Sequence, residues 1–551
     1  MLNPPNPALV SQRAVQPLPR LALLILCAAY VLPGVFGRDP WKNADITAVG
    51  FMTSLARGEA DWLHPTLIGI GSDGSALPYW IGAVFMRLAD GLIDPYLAVR
   101  LPFALMLALT LALVWHATRE LARTDAAQPL AFAFGGEARP LDYARALADG
   151  SVLAMVSVLG LLQLGHETTP ELVQLLGAAL FLDALACGPT HPRWSRIAFV
   201  LALPGLAISG AATTAIGLAL AGGWICWRSQ STEQRRQLPW LIGSTLLAAA
   251  LAALVDAWLW RIAPAWNPVS VIRLLSWFIW PVWPLAAWTL WQWRRQMFRR
   301  HVAIPLATGA VALLSSIAMG GSDRALMLAL PGLAVLAAFA LPTLQRGMSA
   351  AIDWFAVFFF SCSALAIWVI YAAMHTRIPP KIAANISRLA PGFEPHFQWQ
   401  ALALAALASL AWIGLVRWRT NRQQHALWKG LVLSAGGVAL NWLLLMTLWL
   451  PVLDYARSYR PLVQLIHQQI PADACVATEA LSSSQLAALL VHGPWPIERI
   501  ADQGSCGWLL VGHRGRLPSQ HVPPPRSGWA WVETIQRPTE LTEFVFVFRR
   551  I

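Results

Sequence analysis

The sequence predicts an α-helical polytopic membrane protein, with about 13 transmembrane helices followed by a small soluble α/β domain. Three observations predict it. Of 551 residues, 57% are hydrophobic and 12% charged, the balance of a chain whose solvent is lipid. Apolar runs long enough to cross about 30 Å of hydrocarbon recur along most of the chain. Arginine clusters fall in alternate connections between those runs, as the positive-inside rule requires. The net charge of +12 therefore reports topology and argues against nucleic-acid binding, since the arginines do not line one helix face. The 29 Trp residues fit the headgroup boundary, where indole has one wet end and one apolar one.

The elements follow in order. Two arginines precede the apolar run 21–36 and no small-residue cleavage site follows it, so the first helix is read as uncleaved. Spans are expected near 20–37, 100–119, 149–165, 172–187, 197–210, 212–227, 238–260, 276–293, 302–320, 325–344, 352–374, 398–417 and 430–451. With a cytoplasmic N-terminus, the inside connections hold Arg119 and Arg123, Arg193 and Arg196, and Arg228, Arg235 and Arg236. Arg294, Arg295, Arg299 and Arg300 follow, then Arg346, then Arg417, Arg419, Arg422 and Lys429. That alternation leaves the tail 453–551 outside, in the periplasm if the cell is Gram-negative and the membrane its inner one, and makes 1–452 the transmembrane domain.

Two connections are long. The outside loop 38–99 carries helical periodicity at 46–57 and 78–92, read as helices lying in the interface, because a span at 78–93 would invert every later arginine cluster. The inside stretch 120–148 has no role legible from its residues. In the tail, 459–469 has helical spacing, while CVATEAL, GWLLVGH and the terminal FVFVFRR have strand character. Four cysteines, Cys27, Cys187, Cys226 and Cys362, lie in or beside apolar runs, where a thiol behaves as a small hydrophobe. Cys475 and Cys506 lie in the tail, where a disulfide can form if the compartment is oxidising and the two approach.

Polar chemistry concentrates at the outer ends of the helices, since charge in lipid is costly. The first loop opens with Arg38, Asp39, Lys42 and Asp45; Asp45 also reads as the N-cap or first-turn acid of the helix that follows. The turn GHETTPE offers His166, Glu167 and Glu171. A Thr168–Glu171 capping box accounts for part of it, and the set is too sparse to assign a metal. Arg324, in Ser-Asp-Arg, is placed to pair with a lipid phosphate or to snorkel. The outside loop 375–397 carries His375, Arg377, Lys381, Arg388, Glu394 and His396, a positive bias that suits an anionic ligand or headgroup.

These motifs resemble a known group. DPWKNAD followed by WLHPTLIG, then LPYWIGAVF, AVRLPFAL, GHETTPEL, DRALMLALPGLAVLAAFALP and LDYARSYRPL are similar to segments of the lipid-linked-sugar glycosyltransferases of the GT-C fold, especially the ArnT-like transferases and glycosyltransferase family 39. The resemblance covers essentially the whole chain. It implies transfer of a sugar from a polyprenyl-phosphate donor to a lipid or glycan acceptor on the outer face. It makes Asp45, with Glu167, the candidate catalytic carboxylates, and Lys42, His166, Arg324, Arg377 and Lys381 the candidate donor-phosphate ligands; a divalent cation that helps bind the donor stays open. The chain departs from the pattern at three places. The Asp-Glu pair of the family stands here as Ala44-Asp45, the following Arg or Tyr as Thr47 and Ala48, and the Lys-Pro-Pro-Leu before Tyr-Trp as residues 74–77, Gly-Ser-Ala-Leu. Moving an acid by one helical residue turns it by about 100°. Two other readings follow: a GT-C-like protein that binds a lipid-linked glycan without chemistry, or serves as an accessory subunit; and a transporter, disfavoured because no repeated halves and no mid-span ionisable pair are visible, apart from Asp183 and Asp256 near helix ends.

Overall fold

A computed structural model describes residues 6–258, 267–420, 426–499, 506–515 and 526–551. Arg422 and the end of the span expected at 238–260 lie outside them. The chain forms two compact units, neither contiguous in sequence. One comprises Met1–Val35, Phe103–Ala366 and Ala401–Thr447; the other comprises Phe36–Pro102, Ile367–Gln400 and Leu448–Ile551. The long first loop and the basic loop 375–397 thus belong to the same unit as the tail.

The membrane character is plain, the count of crossings less regular than the apolar runs imply. Seven described helices are long and apolar enough to span: Pro95–Ala122, Pro170–Cys187, Thr232–Leu254, Arg300–Ala318, Gly347–Thr376, Trp399–Arg419 and Lys429–Leu448. An eighth is made if Pro268–Phe278 and Val282–Gln292, bent by 91°, are one span. Pro281 lies at that bend and has no N–H to continue a helical ladder. The expected span 149–165 is also broken. Its helix is Pro140–Ser157, and only the short helix Leu161–Leu164 follows. Between them the backbone turns away, with the N–H groups of Leu159 and Gly160 donating to the carbonyls of Trp280 and Phe278. The run 325–344 divides into Asp323–Met327 and Leu330–Ala340. Helices Pro192–Ile208 and Ala212–Arg228 have 17 residues each, roughly 25 Å of rise against about 30 Å of hydrocarbon. Thirteen crossings therefore do not follow from helix length and apolarity alone.

In the first unit the most central element is Leu330–Ala340, buried at nearly every position and so apolar all round. Its approach to helix Arg300–Ala318 depends on Gly332, where an added Cβ would meet the Pro305 carbonyl oxygen at 2.5 Å. Small residues let helix backbones come this close, which replaces the hydrophobic driving force that lipid cannot supply. The inside stretch 120–148, silent in sequence, pairs with the N-terminal segment. Leu130 and Ala138 donate backbone bonds to Ala8 and Val10, and Gln12 reaches Asp142 at 2.8 Å.

In the second unit the first loop folds as helix Ala44–Arg57, a short hairpin of β1 (Thr66–Leu67) and β2 (Ile70–Gly71), and helix Leu77–Leu88. Both periodic stretches of the sequence are thus helices. Gly58, at φ 77°, ends the first helix, and Arg87 from the second donates to the carbonyls of Leu55 and Ala56 at 2.9 Å, filling two C-terminal acceptors. The two helices touch at Gly82, where a Cβ would fall 2.3 Å from the Met52 sulfur.

The tail is α/β, as its patterning predicts. Helix Arg460–His467 leads into β3 (Val476–Glu479), helix Ser483–His492, β4 (Ile497–Arg499), β5 (Trp508–Arg514), β6 (Trp529–Gln536) and β7 (Glu543–Arg550). The sheet order is β4-β3-β5-β7-β6; β3 runs parallel to β4 and β5, and β7 antiparallel to β5 and β6. The sequence pattern missed β4, β6 and the helix Ser483–His492, although that helix opens with a capping box of Ser482 and Gln485. Ala477, Leu509, Val511, Phe546 and Phe548 form the core beside Cys506, and each large apolar side chain there contributes up to about 3 kcal/mol. Cys475 and Cys506 are bonded, with Cα atoms 4.9 Å apart. Helix Ala44–Arg57 packs closely on Ser483–His492, because Gly50 lets the Ala487 side chain within what would be 2.6 Å of a Cβ.

Candidate functional site

The second unit contains a buried network of charges. Asp45, in the first turn of helix Ala44–Arg57, is 1% exposed. It is not the N-cap, which is Asn43. Its Oδ2 accepts from the Trp41 backbone N–H at 3.1 Å and from Arg38 Nη2 at 3.2 Å. Two guanidiniums approach the Trp41 indole, Arg38 at 4.7 Å and Arg457 at 5.2 Å from the ring centroid. Its Nε1 donates to Asp454 at 2.9 Å. Asp454 also accepts the Asp39 N–H at 3.0 Å. Asp39 in turn accepts from Arg460 Nε at 2.7 Å, from a second nitrogen of that guanidinium, and from the Ser458 hydroxyl at 2.9 Å. Arg100 donates to the Arg38 carbonyl. Three carboxylates and the neighbouring guanidiniums therefore share one network, buried at Arg38, Asp39, Asp45 and Arg100, half-buried at Asp454 and exposed at Arg460; in its buried part stability depends on every member being paired.

The carboxylates differ electrostatically. Burial pushes Asp454 up to about 6, reinforced by the neighbouring Asp39 charge and opposed by the Trp41 bond. Burial also acts upward on Asp39, but the bonds and charge of Arg460, with His492 and Ser458, outweigh it and hold that carboxyl below its ordinary range. His492 is pulled down to about 4 by burial, and its Nδ1 meets the Tyr96 hydroxyl at 3.0 Å. Of the basic candidates here, Lys42 is engaged by Glu540 at 2.6 Å, whereas Arg377 and Lys381 are exposed. Lys381 lies on helix Pro380–Leu389, which buries none of its residues.

In the first unit, Glu167 and Arg324 do come together, while His166 packs elsewhere. Glu167 Oε2 lies 2.5 Å from Arg324 Nη2, and its Oε1 accepts from Gln163 at 2.8 Å. Arg324 Nη1 also faces Glu171 at 3.3 Å and the Thr169 hydroxyl at 3.2 Å. The helix N-cap is Thr169, one residue past the Thr168 expected, without a side-chain cap bond, and Glu171 is in an ion pair with Arg324. Burial acts to lower the Arg324 pKa, but Glu167 and Glu171 raise it. With two carboxylates on one guanidinium, the cluster carries no surplus positive charge for a phosphate. Both ring nitrogens of His166 lie against backbone carbonyls, Leu162 at 2.8 Å and Tyr30 at 2.7 Å, and the ring stacks near Trp442. In this arrangement His166 ties helices together. A cavity of about 500 Å³ adjoins the cluster, lined in part by Glu171, Gln174, Thr214, Ser315 and Arg324.

Sequence reasoning selected Asp45, Lys42 and the Glu167–Arg324 group. It passed over Arg100, Asp454, Arg460 and His492. LDYARSYRPL carried a signal, since Asp454, Arg457 and Arg460 cluster just past the last apolar run. Their pairing with residues 38–41 spans some four hundred positions, which no local pattern encodes.

No protein-family model matches the chain, and no curated protein matches it. Solved structures do, among them the crystal structure of ArnT from Cupriavidus metallidurans bound to undecaprenyl phosphate (TM-score 0.62, 13% identity) and the same protein in the apo state (TM-score 0.63, 14% identity). Each match covers 96% of this chain and 97% of the other. Identity this low speaks to fold, and the chain accordingly has the GT-C-type fold of ArnT, a multi-pass helical bundle with a small C-terminal sheet.

Proposed function

We propose that this protein is a polyprenyl-phosphate-dependent glycosyltransferase of the bacterial inner membrane, acting on a lipid or cell-envelope glycan acceptor at the periplasmic face. The observation that carries the reading is the buried carboxylate network around Asp45 on a chain with the fold of ArnT, a protein crystallised with undecaprenyl phosphate. Asp45 takes the proton of the acceptor hydroxyl as the new glycosidic bond forms with inversion, and polyprenyl phosphate leaves with the electrons of the broken bond. Asp454, raised toward neutrality, is the second carboxylate suited to hold that proton. Arg377 and Lys381 supply exposed positive charge for the donor phosphate, with Lys42 joining when it releases Glu540. In the first unit, Arg324, held by Glu167 and Glu171, contributes to the lining of the 500 Å³ cavity.

One observation favours a second reading, a binding protein without turnover: Asp45 is closed off by Arg38 and Trp41, and Ala44 stands where the resemblance expects the acid. Mass spectrometry of polyprenyl-phosphate sugars and surface glycans, in wild-type, deletion and Asp45→Asn strains, separates the two. The transferase reading expects one donor to accumulate and one glycan modification to vanish in both altered strains. Full restoration by Asp45→Asn removes Asp45 as the base. Unchanged pools and glycans on deletion sink the enzyme, and donor binding without turnover by the purified protein then supports the second reading.

A further inference from the structure

Helix Pro95–Ala122 ends in the arginine-rich connection that holds Arg119 and Arg123. His116 and Glu120 stand four positions apart on it, on one face and one turn from each other. His191, the N-cap residue of helix Pro192–Ile208, completes a group in which one ring nitrogen of each histidine and one Glu120 oxygen all lie within 4.8 Å of one another. We propose that His116, Glu120 and His191 form a binding site for a divalent transition metal of the zinc class.

The surroundings of each residue support this. Asp183 is fully buried, and its two oxygens are both used: Oδ1 at 2.7 Å from His116 Nδ1 and Oδ2 accepting from Trp194 Nε1 at 2.7 Å. That geometry places the His116 proton on Nδ1 and leaves the Nε2 lone pair for a ligand bond, as carboxylates behind metal-binding histidines do. Glu120 is likewise divided. Its Oε1 takes Arg119 at 3.3 Å and Arg123 at 3.0 Å, while Oε2 accepts from Thr190 at 2.8 Å and faces His191 Nδ1 at 4.0 Å. Two imidazoles and one carboxylate oxygen select a borderline metal over calcium or magnesium, and match three-ligand zinc sites that keep a fourth position open. A cavity of about 420 Å³ reaches Glu120 and Thr190, with Arg123, Arg299 and Arg300 also in its lining. Tetrahedral coordination at about 2.1 Å asks the donors to close to roughly 3.4 Å. His191 can supply this movement, its side chain being 51% exposed. Arg119 and Arg123 on Oε1, with Arg299 and Arg300 lining the adjoining cavity, lower the affinity for a cation, and an ion must displace the Thr190 hydroxyl from Glu120 Oε2 and from His191 Nδ1, which it meets at 3.0 Å. A bound ion pins the end of helix Pro95–Ala122 to the head of Pro192–Ile208.

The other grouping of this kind among the described residues, Cys475, Glu498 and Cys506, has its sulfurs committed to the disulfide. The test is a Co²⁺ titration of the untagged, chelator-stripped full chain in detergent, followed by visible d–d absorption and by competition with Zn²⁺. One equivalent is expected, displaced by Zn²⁺, with affinity at least tenfold weaker in His191→Ala and Glu120→Gln, and about tenfold weaker in Asp183→Asn at unchanged stoichiometry. Zn²⁺ should also raise the melting temperature of the wild type and not that of His191→Ala. The site is refuted if the wild type binds no more Co²⁺ than a His116→Gln/His191→Ala double variant, or if the single variants retain wild-type affinity. Size-exclusion profiles report folding of each variant, and the wild-type thermal shift stands independently of them.

Discussion

Removing one member of the Arg38–Asp45 pair tests whether the network around it is a structural unit or a loose collection of contacts. The two charges lie 3.2 Å apart with side chains 0% and 1% exposed. At an effective dielectric near 20 their attraction is about 5 kcal/mol, and desolvation offsets most of it. The net worth of the pair is therefore small, but the cost of breaking it is not: a single buried charge left behind costs roughly 3–5 kcal/mol. Arg100, whose charge also acts on Asp45, keeps Arg38→Met near the lower end, about 3 kcal/mol. Asp45→Asn retains an acceptor for the Trp41 N–H and is expected to cost about as much, through Arg38 alone. Replacing both, as Arg38→Met/Asp45→Leu, removes the uncompensated charge and should recover most of that loss, to within about 1 kcal/mol of the wild type. Unfolding by SDS titration in mixed micelles measures all four proteins. Additive losses in the double variant, or single variants as stable as the wild type, would refute the reasoning.

Asp454 predicts a pH signature. Its carboxyl is raised from 3.8 to about 6 in the folded state, so the stability it contributes is complete below 3.8 and is lost as pH rises through 6, a difference of roughly 3 kcal/mol. Asp454→Asn should be more stable than the wild type at pH 7.5 and lose that advantage toward pH 4; a constant gap across this range contradicts the assignment. The Cys475–Cys506 bond closes a loop of sequence separation 31, worth about 3–4 kcal/mol by restricting the unfolded chain. Paired Cys-to-Ser substitution should lower the thermal midpoint and expose the tail to protease, and an unchanged digestion pattern would show that the bond contributes nothing.

The sequence by itself determined the membrane class, the helices of the first loop, and the α/β character of the tail. Each of these rests on periodicity and composition, which are local. Charge placement also marked Asp45 and the Glu167–Arg324 region, since polar groups beside apolar runs stand out. Tertiary structure decided the rest. Gly332 and Gly160 read simply as small residues until another backbone or ring lies against them. Glu171 reads as a capping residue until Arg324 approaches from the far side of the sequence. Asp454 looks like an ordinary acid past a helix end until residues 39–41 fold onto it and remove part of its water. Local pattern sets what each segment prefers, but desolvation and ion pairing act between segments, so the partner of each charge exists only in the folded chain.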